Sequence, residues 1–435
     1  MRKKIIFIFE FVSGGGFNLE KIPISLFCEG FGMLRSIIAD FKELDFEICT
    51  ILDYRIFFLS SFLQADVVKI VEKHDEYIKL FKEMVNKSNY SFIIAPEFSK
   101  ILYNLTKIVK DYNRILLSVD LKAIDLCTSK FETYKFFKKN KVNTPLTYQI
   151  PFKGKSLDFN FIFQKFEELN CPIIIKPDDG VGAENIFHFE KDSQFFNSLT
   201  NINTHLDKNR SYILQEFIEG KDLSVSLIGV LNSEESPILL SINSQDINLK
   251  DLIPEYLGGY TPLSNYEELM EKLSSILRKI SNLKIGGYFG IDFIEQNNGL
   301  LNFIEINPRL TTSYIGLRNT INLNCAELIL NSKLNFLRIP EVKFLNHSAF
   351  TRIDFYSNEH QSIERFYEFL MPKLIKLIPE LVTPPIALDN SNLYSSFIAT
   401  KTKDLNSSKI RMSKILESLK SLNLRVIRPI QKELL

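Results

Sequence analysis

The stretch Gly287–Arg309, GYFGIDFIEQNNGLLNFIEINPR, decides how the chain is read. Two apolar runs, Gly287–Ile294 and Leu300–Ile306, flank the turn sequence Gln296-Asn297-Asn298-Gly299, and that spacing predicts a β-hairpin. Glu305 and Asn307 stand two residues apart, so they share one face of their strand. With a short turn, Asp292 lies across from them. Such an oxygen cluster suits Mg²⁺ (or Mn²⁺), since Mg²⁺ takes few carboxylates and completes its octahedron with phosphate oxygens and water. Arg309 projects from the strand end, where it can meet an oxyanion. A solvated outer strand face is the alternative reading. The surrounding Phe, Ile and Gly argue against it, because a charge in an apolar setting needs a partner.

Upstream, Ile173-Ile174-Ile175-Lys176-Pro177 reads as a strand closed by proline, followed by a loop with Gly180 and Gly182. Glycines let backbone N–H groups approach phosphate oxygens, and Lys176 supplies charge. The segment is not a Walker A sequence, and taken alone it reads equally well as a surface turn. Gln215-Glu216-Phe217-Ile218-Glu219-Gly220-Lys221-Asp222 joins two predicted strands. Its backbone could pair with an adenine edge and an acid in it could bind ribose, although an ordinary strand connection explains it by itself. Lys130 opens a predicted helix, Ser129 to about Lys139, and alone is only a solvated helix lysine.

The first 120 residues or so alternate strands (Ile5–Phe9, Phe46–Leu52, Ser91–Ala95 and a fourth near Leu116–Val119) with helical stretches, the pattern of an open α/β unit. Ser13-Gly14-Gly15-Gly16 follows the first strand. It is either a tight loop or, with Glu10 and Glu29 close in sequence, a receiver for a substrate anion. The segment from about Val342 to Leu435 reads as a small α+β module. With 53 Lys plus Arg against 52 Asp plus Glu, no bulk charge favours nucleic acid or an anionic membrane. The apolar run after Met1-Arg2-Lys3-Lys4 is short and stops at Glu10, so it reads as a strand rather than a signal peptide, and no segment is long and apolar enough to span a bilayer. Five scattered Cys and five His form no zinc or disulfide pattern, which points to buried thiols in a reducing cytoplasm. The 37 Phe are read as core.

In order and approximate spacing, Lys130, the Lys176 strand with its glycine loop, the Gln215–Asp222 connector and the Asp292/Glu305/Asn307/Arg309 hairpin resemble the ATP-grasp superfamily over about residues 1–330. The resemblance implies an ATP-grasp fold of mixed α/β and α+β character. An N-terminal α/β domain (1–125) would precede an ATP-grasp domain (126–335). The nucleotide cleft of that domain would lie between a central lid at about 140–220 and a lobe at about 221–335, with the small module at 340–435. It implies that Lys130 and Lys176 contact ATP phosphates, with Gly180 and Gly182 closing over them. Gln215, Glu216 and Ile218 would line the adenine site, and Asp222 would bind ribose. Asp292, Glu305 and Asn307 would hold Mg²⁺, and Arg309 would join Lys176 in the chemistry. Phe9–Gly16, Glu29–Arg35 and Asn307–Ser313 further resemble the archaeal and methylotroph ligase group that includes tyramine–glutamate ligase.

The activity so implied is ADP-forming: ATP converts a carboxylate to an acyl phosphate, and an amine displaces the phosphate. Both substrates are small molecules, and a homodimer is the assembly the resemblance suggests. A bicarbonate-activating carboxylase and a non-catalytic ATP-binding regulator are the competing readings.

Overall fold

The computed structural model describes residues 3–154, 156–180, 186–190, 206–231, 236–248, 255–264, 266–334, 341–357, 363–388 and 392–427. Ile5–Glu10, Glu47–Asp53, Val67–Val71, Tyr90–Ile94 and Ile115–Leu116 form a five-stranded, wholly parallel sheet. In space their order is third, second, first, fourth, fifth. Ile6, Phe7, Ile8 and Phe9 are fully buried, as a central parallel strand covered on both faces requires. Their rings pack edge-on against Phe81 of the helix Tyr77–Lys87. The Val67–Val71 strand was not apparent in the sequence. It is a half-buried sheet edge with Lys69 in its middle, which breaks the apolar run.

Thr147–Ile150, Ile173–Pro177, Phe187–Phe189 and Tyr212–Glu216 make a four-stranded antiparallel sheet. Strand alternation divides its two faces. Ile150, Ile173, Ile175, Phe187, Phe189, Tyr212 and Leu214 form a core of their own with Ile162 and Phe166 of the helix Phe159–Leu169. Lys176, His188 and Gln215 fall on the opposite face. That helix starts where Asp158 accepts the N–H groups of Asn160 and Phe161, and it stops at Asn170 in the left-handed conformation.

Ile238–Ser244, Lys221–Gly229, Gly287–Glu295 and Leu301–Asn307 form a second antiparallel sheet in that spatial order. The hairpin expected at its edge is present, turning at Gly299 with φ +77°.

The C-terminal segment does not build its sheet alone. Ser348–Ser357, Leu381–Ile386, Leu393–Ala399 and Leu424–Val426 are joined by Asp246–Asn248 and Glu255–Thr261, which come from within the expected ATP-grasp span. Gly258 and Gly259 allow this junction: a Cβ on Gly258 would lie 2.1 Å from the Phe350 carbonyl oxygen, and one on Gly259 would lie 2.1 Å from that of Ser244. The helix Ile24–Lys42 ties this sheet to the N-terminal domain. Thr383 donates to the Cys28 carbonyl (2.6 Å), and Arg35 donates to those of Leu381 (2.9 Å) and Val382 (2.8 Å). No described helix is long and apolar enough to cross a membrane.

Candidate active site

Lys130 begins the helix Lys130–Lys139. The helix start is fixed by Asp178, whose carboxylate accepts from Ser129 Oγ (2.7 Å) and the Phe131 N–H (2.8 Å). Asp178 thereby stabilises free N–H groups and the positive helix end. The Lys130 ammonium then spans two sheets, donating to the Gly180 carbonyl (2.7 Å) and pairing with Glu305 Oε2 (2.8 Å). Burial opposes its charge, but Glu305, Glu97 and Asp178 outweigh burial and raise its pKa.

Asp292 and Glu305 are direct cross-strand partners, as are Gly290 and Asn307. The pairing shifts by one residue just beyond Asp292, so the bulge falls on the non-site side of the carboxylates. Asn307 Nδ2 donates to Asp292 Oδ2 (2.9 Å), and Gln245 Nε2 donates to Oδ1 (3.1 Å). Burial, and then the charge of Glu305, push Asp292 up to about 7. Burial also pushes Glu305 upward, yet Lys130 and Lys176 prevail and hold it below the ordinary carboxylate range. Two half-buried carboxylates that repel each other, beside the amide of Asn307, form a donor set that fits a divalent cation. Among the described residues no trio of His, Cys, Asp and Glu converges. Two carboxylates and an amide oxygen are an oxygen-only donor set that leaves several positions to non-protein ligands.

Lys176 is 6% exposed. Burial lowers its pKa to about 8, with Glu305 opposing the shift. No hydrogen bond or ion pair engages its ammonium among the described residues. Arg309 is half-buried. Its Nε donates to both Glu97 oxygens at 3.0 Å, and its Nη1 donates to the Leu310 carbonyl at 3.1 Å. Beyond it, Thr311 and Ser313 join a buried hydroxyl network. Tyr288 Oη lies 2.9 Å from both Ser226 Oγ and Thr311 Oγ1, and Asn243 Nδ2 donates to Ser226 Oγ at 3.1 Å. These bonds pin the loop that carries Arg309 to the sheet beneath it. Thr312 donates to Glu29 Oε2 (2.6 Å), bringing the helix Ile24–Lys42 to the same place.

The connector residues lie at the edge of this cluster. Gln215 is buried and donates to Thr147 Oγ1 (2.9 Å). Glu216 Oε2 accepts the Leu146 N–H (3.1 Å), and Ile218 is half-buried. Asp222 pairs across its sheet with Ile294, two residues from Asp292, and burial followed by the charge of Asp246 raises it to about 6. Gly180 contributes a carbonyl to Lys130; Gly182 lies outside the described residues.

The Ser13–Gly16 turn differs from the anion receiver considered above. The Val12 and Ser13 N–H groups are already taken by the Glu10 carboxylate, at 3.0 and 2.7 Å. Gly30 makes room for that carboxylate, since a Cβ there would come within 2.7 Å of Glu10 Cδ. Sequence reasoning gave no role to Glu97, Asp178 or Gln245. The one local signal was the position of Asp178 directly after the Lys176-Pro177 strand end.

Residues 127–313 match the ATP-grasp domain and residues 46–124 the pre-ATP-grasp domain. The tyramine–L-glutamate ligase of Methanocaldococcus fervens is 31% identical over 341 residues, covering 76% of this chain and 94% of its own length. That of Methanocaldococcus jannaschii is 29% identical over 346 residues, covering 78% of this chain and 92% of its own. An ATP-grasp superfamily protein from Archaeoglobus fulgidus has the same fold, with a TM-score of 0.59, 22% identity, and coverage of 91% of this chain and 99% of its own. The chain belongs to the ATP-grasp family, whose members use ATP with a divalent metal. Within that family it is a carboxylate–amine ligase.

Proposed function

We propose that the chain joins the carboxylate of an amino acid such as glutamate to a primary amine of the tyramine type, through an acyl phosphate. The observation that supports this reading is the grouping of Lys130 at a helix start with Asp292, Glu305 and Asn307 of the hairpin, where the charges of Lys130 and Lys176 both act on Glu305 and Arg309 follows two residues after Asn307. The substrate class rests on the two tyramine–glutamate ligases, nearly the whole length of which this chain spans.

In this reading a carboxylate oxygen attacks the γ-phosphorus of ATP and ADP departs. The nitrogen of a neutral amine then attacks the acyl carbon, inorganic phosphate leaves, and the nitrogen loses a proton. Asp292, Glu305 and Asn307 would hold Mg²⁺ or Mn²⁺, which supplies charge neutralisation at the phosphates. Lys176 binds the phosphate chain with an ammonium that no carboxylate among the described residues holds in an ion pair. Lys130 bridges Gly180 and Glu305 and so holds the glycine loop against the metal ligands. Arg309 stabilises the oxyanion that forms during acyl transfer. Gln215, Glu216 and Ile218 line the adenine, Asp222 binds ribose, and Gly180 with Gly182 covers the phosphates and excludes water from the acyl phosphate. The five Cys are all free thiols, in keeping with a reducing cytoplasm.

ADP release from Mg-ATP against a panel of amino acids and amines, glutamate with tyramine included and bicarbonate as control, tests the proposal. Turnover requiring both a carboxylate and an amine supports it. Turnover on bicarbonate alone would replace it with carboxylase chemistry.

A further inference from the structure

The parallel sheet changes winding direction between Ile5–Glu10 and Tyr90–Ile94, so the carboxyl ends of these neighbours open a crevice. Glu97 stands three residues past the second of them and is 5% exposed. The catalytic hairpin reaches this crevice through Arg309, 212 residues later in the chain.

We propose that Glu97 is a positioning residue for the ligase reaction, holding the Arg309 guanidinium so that its Nη2 edge serves the reacting groups. This rests on the ligase reading above. A guanidinium has five N–H donors in a fixed plane. Here Nε is shared between the two Glu97 oxygens, at 3.0 Å each, and one Nη1 donor goes to the Leu310 carbonyl. Among the described residues nothing engages Nη2. A carboxylate gripping Nε and Nη2 as a fork would have consumed that edge. Glu97, itself buried, instead pairs its charge with the half-buried arginine while sparing that edge. The restraint on the other side is covalent, because Arg309 follows Asn307-Pro308 in the metal-binding strand. Glu97 belongs to a different domain from every other residue of the phosphate cluster, so it makes the geometry of the chemistry depend on the N-terminal sheet.

A plain domain-bridging ion pair would use the same contact, and kinetics separates the two. Glu97→Gln lowers kcat about 10- to 100-fold, the range expected when one oxyanion donor is misplaced, and leaves the KM for ATP within about twofold. In an Arg309→Met background the same change has less than about a twofold effect, because the residue acts only through Arg309. Equal losses in both backgrounds, or a raised KM for ATP with unchanged kcat, would overturn the proposal. If Glu97→Gln folds poorly, Glu97→Asp replaces it. That variant keeps the charge but withdraws the carboxylate by one methylene, and it gives an intermediate loss in kcat with the same dependence on Arg309. A crystal structure of either variant reads the claim without turnover: the guanidinium shifts, and an unmoved one contradicts the proposal. Should wild-type protein release ADP with no carboxylate–amine pair, the ligase reading fails, while the crystallographic comparison still decides what holds Arg309.

Discussion

The two sheets that face each other across the candidate site hold their charges in opposite ways. On the sheet carrying the Gly287–Asn307 hairpin, nearly every ionised group has a protein partner: Glu305 with Lys130, Asp292 with Asn307 and Gln245, Arg309 with Glu97. On the smaller sheet, Lys176 is buried with no such partner among the described residues, and the opposite face packs into a hydrophobic cluster of its own. The first sheet is organised in advance, and its charges contribute to the fold. In the proposed reaction, the second brings a cation whose partner is the ligand. Stability and activity should therefore respond together to substitutions on one side and separately on the other.

Substitutions at Glu305, Lys176 and Asp222 bear on that difference, and one at Glu10 adds a comparison from the N-terminal sheet. The largest expected effect is at Glu305. Glu305→Ala removes a proposed metal ligand and leaves Lys130 buried without its ion pair, so ADP formation falls by on the order of 10³-fold, and unfolding stability drops by about 3 kcal/mol. Urea titration and a coupled ADP assay measure both. Lys176→Met is the contrasting case. It cuts kcat/KM for ATP by about 100-fold yet leaves stability unchanged or higher, because a desolvated, unpartnered charge is lost. A large loss of stability in that variant would erase the distinction between the two sheets.

Glu10→Gln tests the anchor of the Val12–Gly16 turn. Burial raises the Glu10 carboxyl to about 7, so between the ordinary glutamate range and neutrality the folded state binds a proton that the unfolded chain has released. Stability then falls as pH rises through that window. Glu10→Gln flattens the slope, and the two proteins differ by about 1–3 kcal/mol across pH 5–8. Parallel unfolding curves at the two pH values would contradict this. The smallest effect is at Asp222. Asp222→Asn lowers discrimination between ATP and 2′- or 3′-deoxy-ATP by about tenfold, in line with the loss of a charged hydrogen bond to ribose. Unchanged discrimination would remove Asp222 from the nucleotide site.

The fold was legible where its signals are local. Ile5–Glu10 shows itself as an unbroken apolar run, and the Gly287–Asn307 hairpin as two such runs around Asn298-Gly299. The short turn brings the two strands together, but regular pairing from it would set Asp292 opposite Ile304; the one-residue shift between Asp292 and Phe293, which the sequence does not announce, is what sets it opposite Glu305. Signals weakened where partners are distant. Glu255–Thr261 contains two glycines, poor strand formers, and it is held as a strand between Asp246–Asn248 and the distant Ser348–Ser357. For the same reason the C-terminal module was read as self-contained. The cluster residues were found from residue type and order, whereas Glu97 was not: nothing local in Pro96-Glu97 indicates an arginine more than two hundred residues away. Asp178 lies 49 residues from the Ser129 hydroxyl it receives, and is a similar case at shorter range.

Transfer of ¹⁸O from labelled substrate carboxylate to inorganic phosphate tests the central claim most directly. With glutamate labelled in its carboxylates, tyramine and Mg-ATP, an acyl phosphate predicts one ¹⁸O in the phosphate for each amide bond formed, and no transfer with Glu305→Ala. Amide formation with unlabelled phosphate would contradict the account.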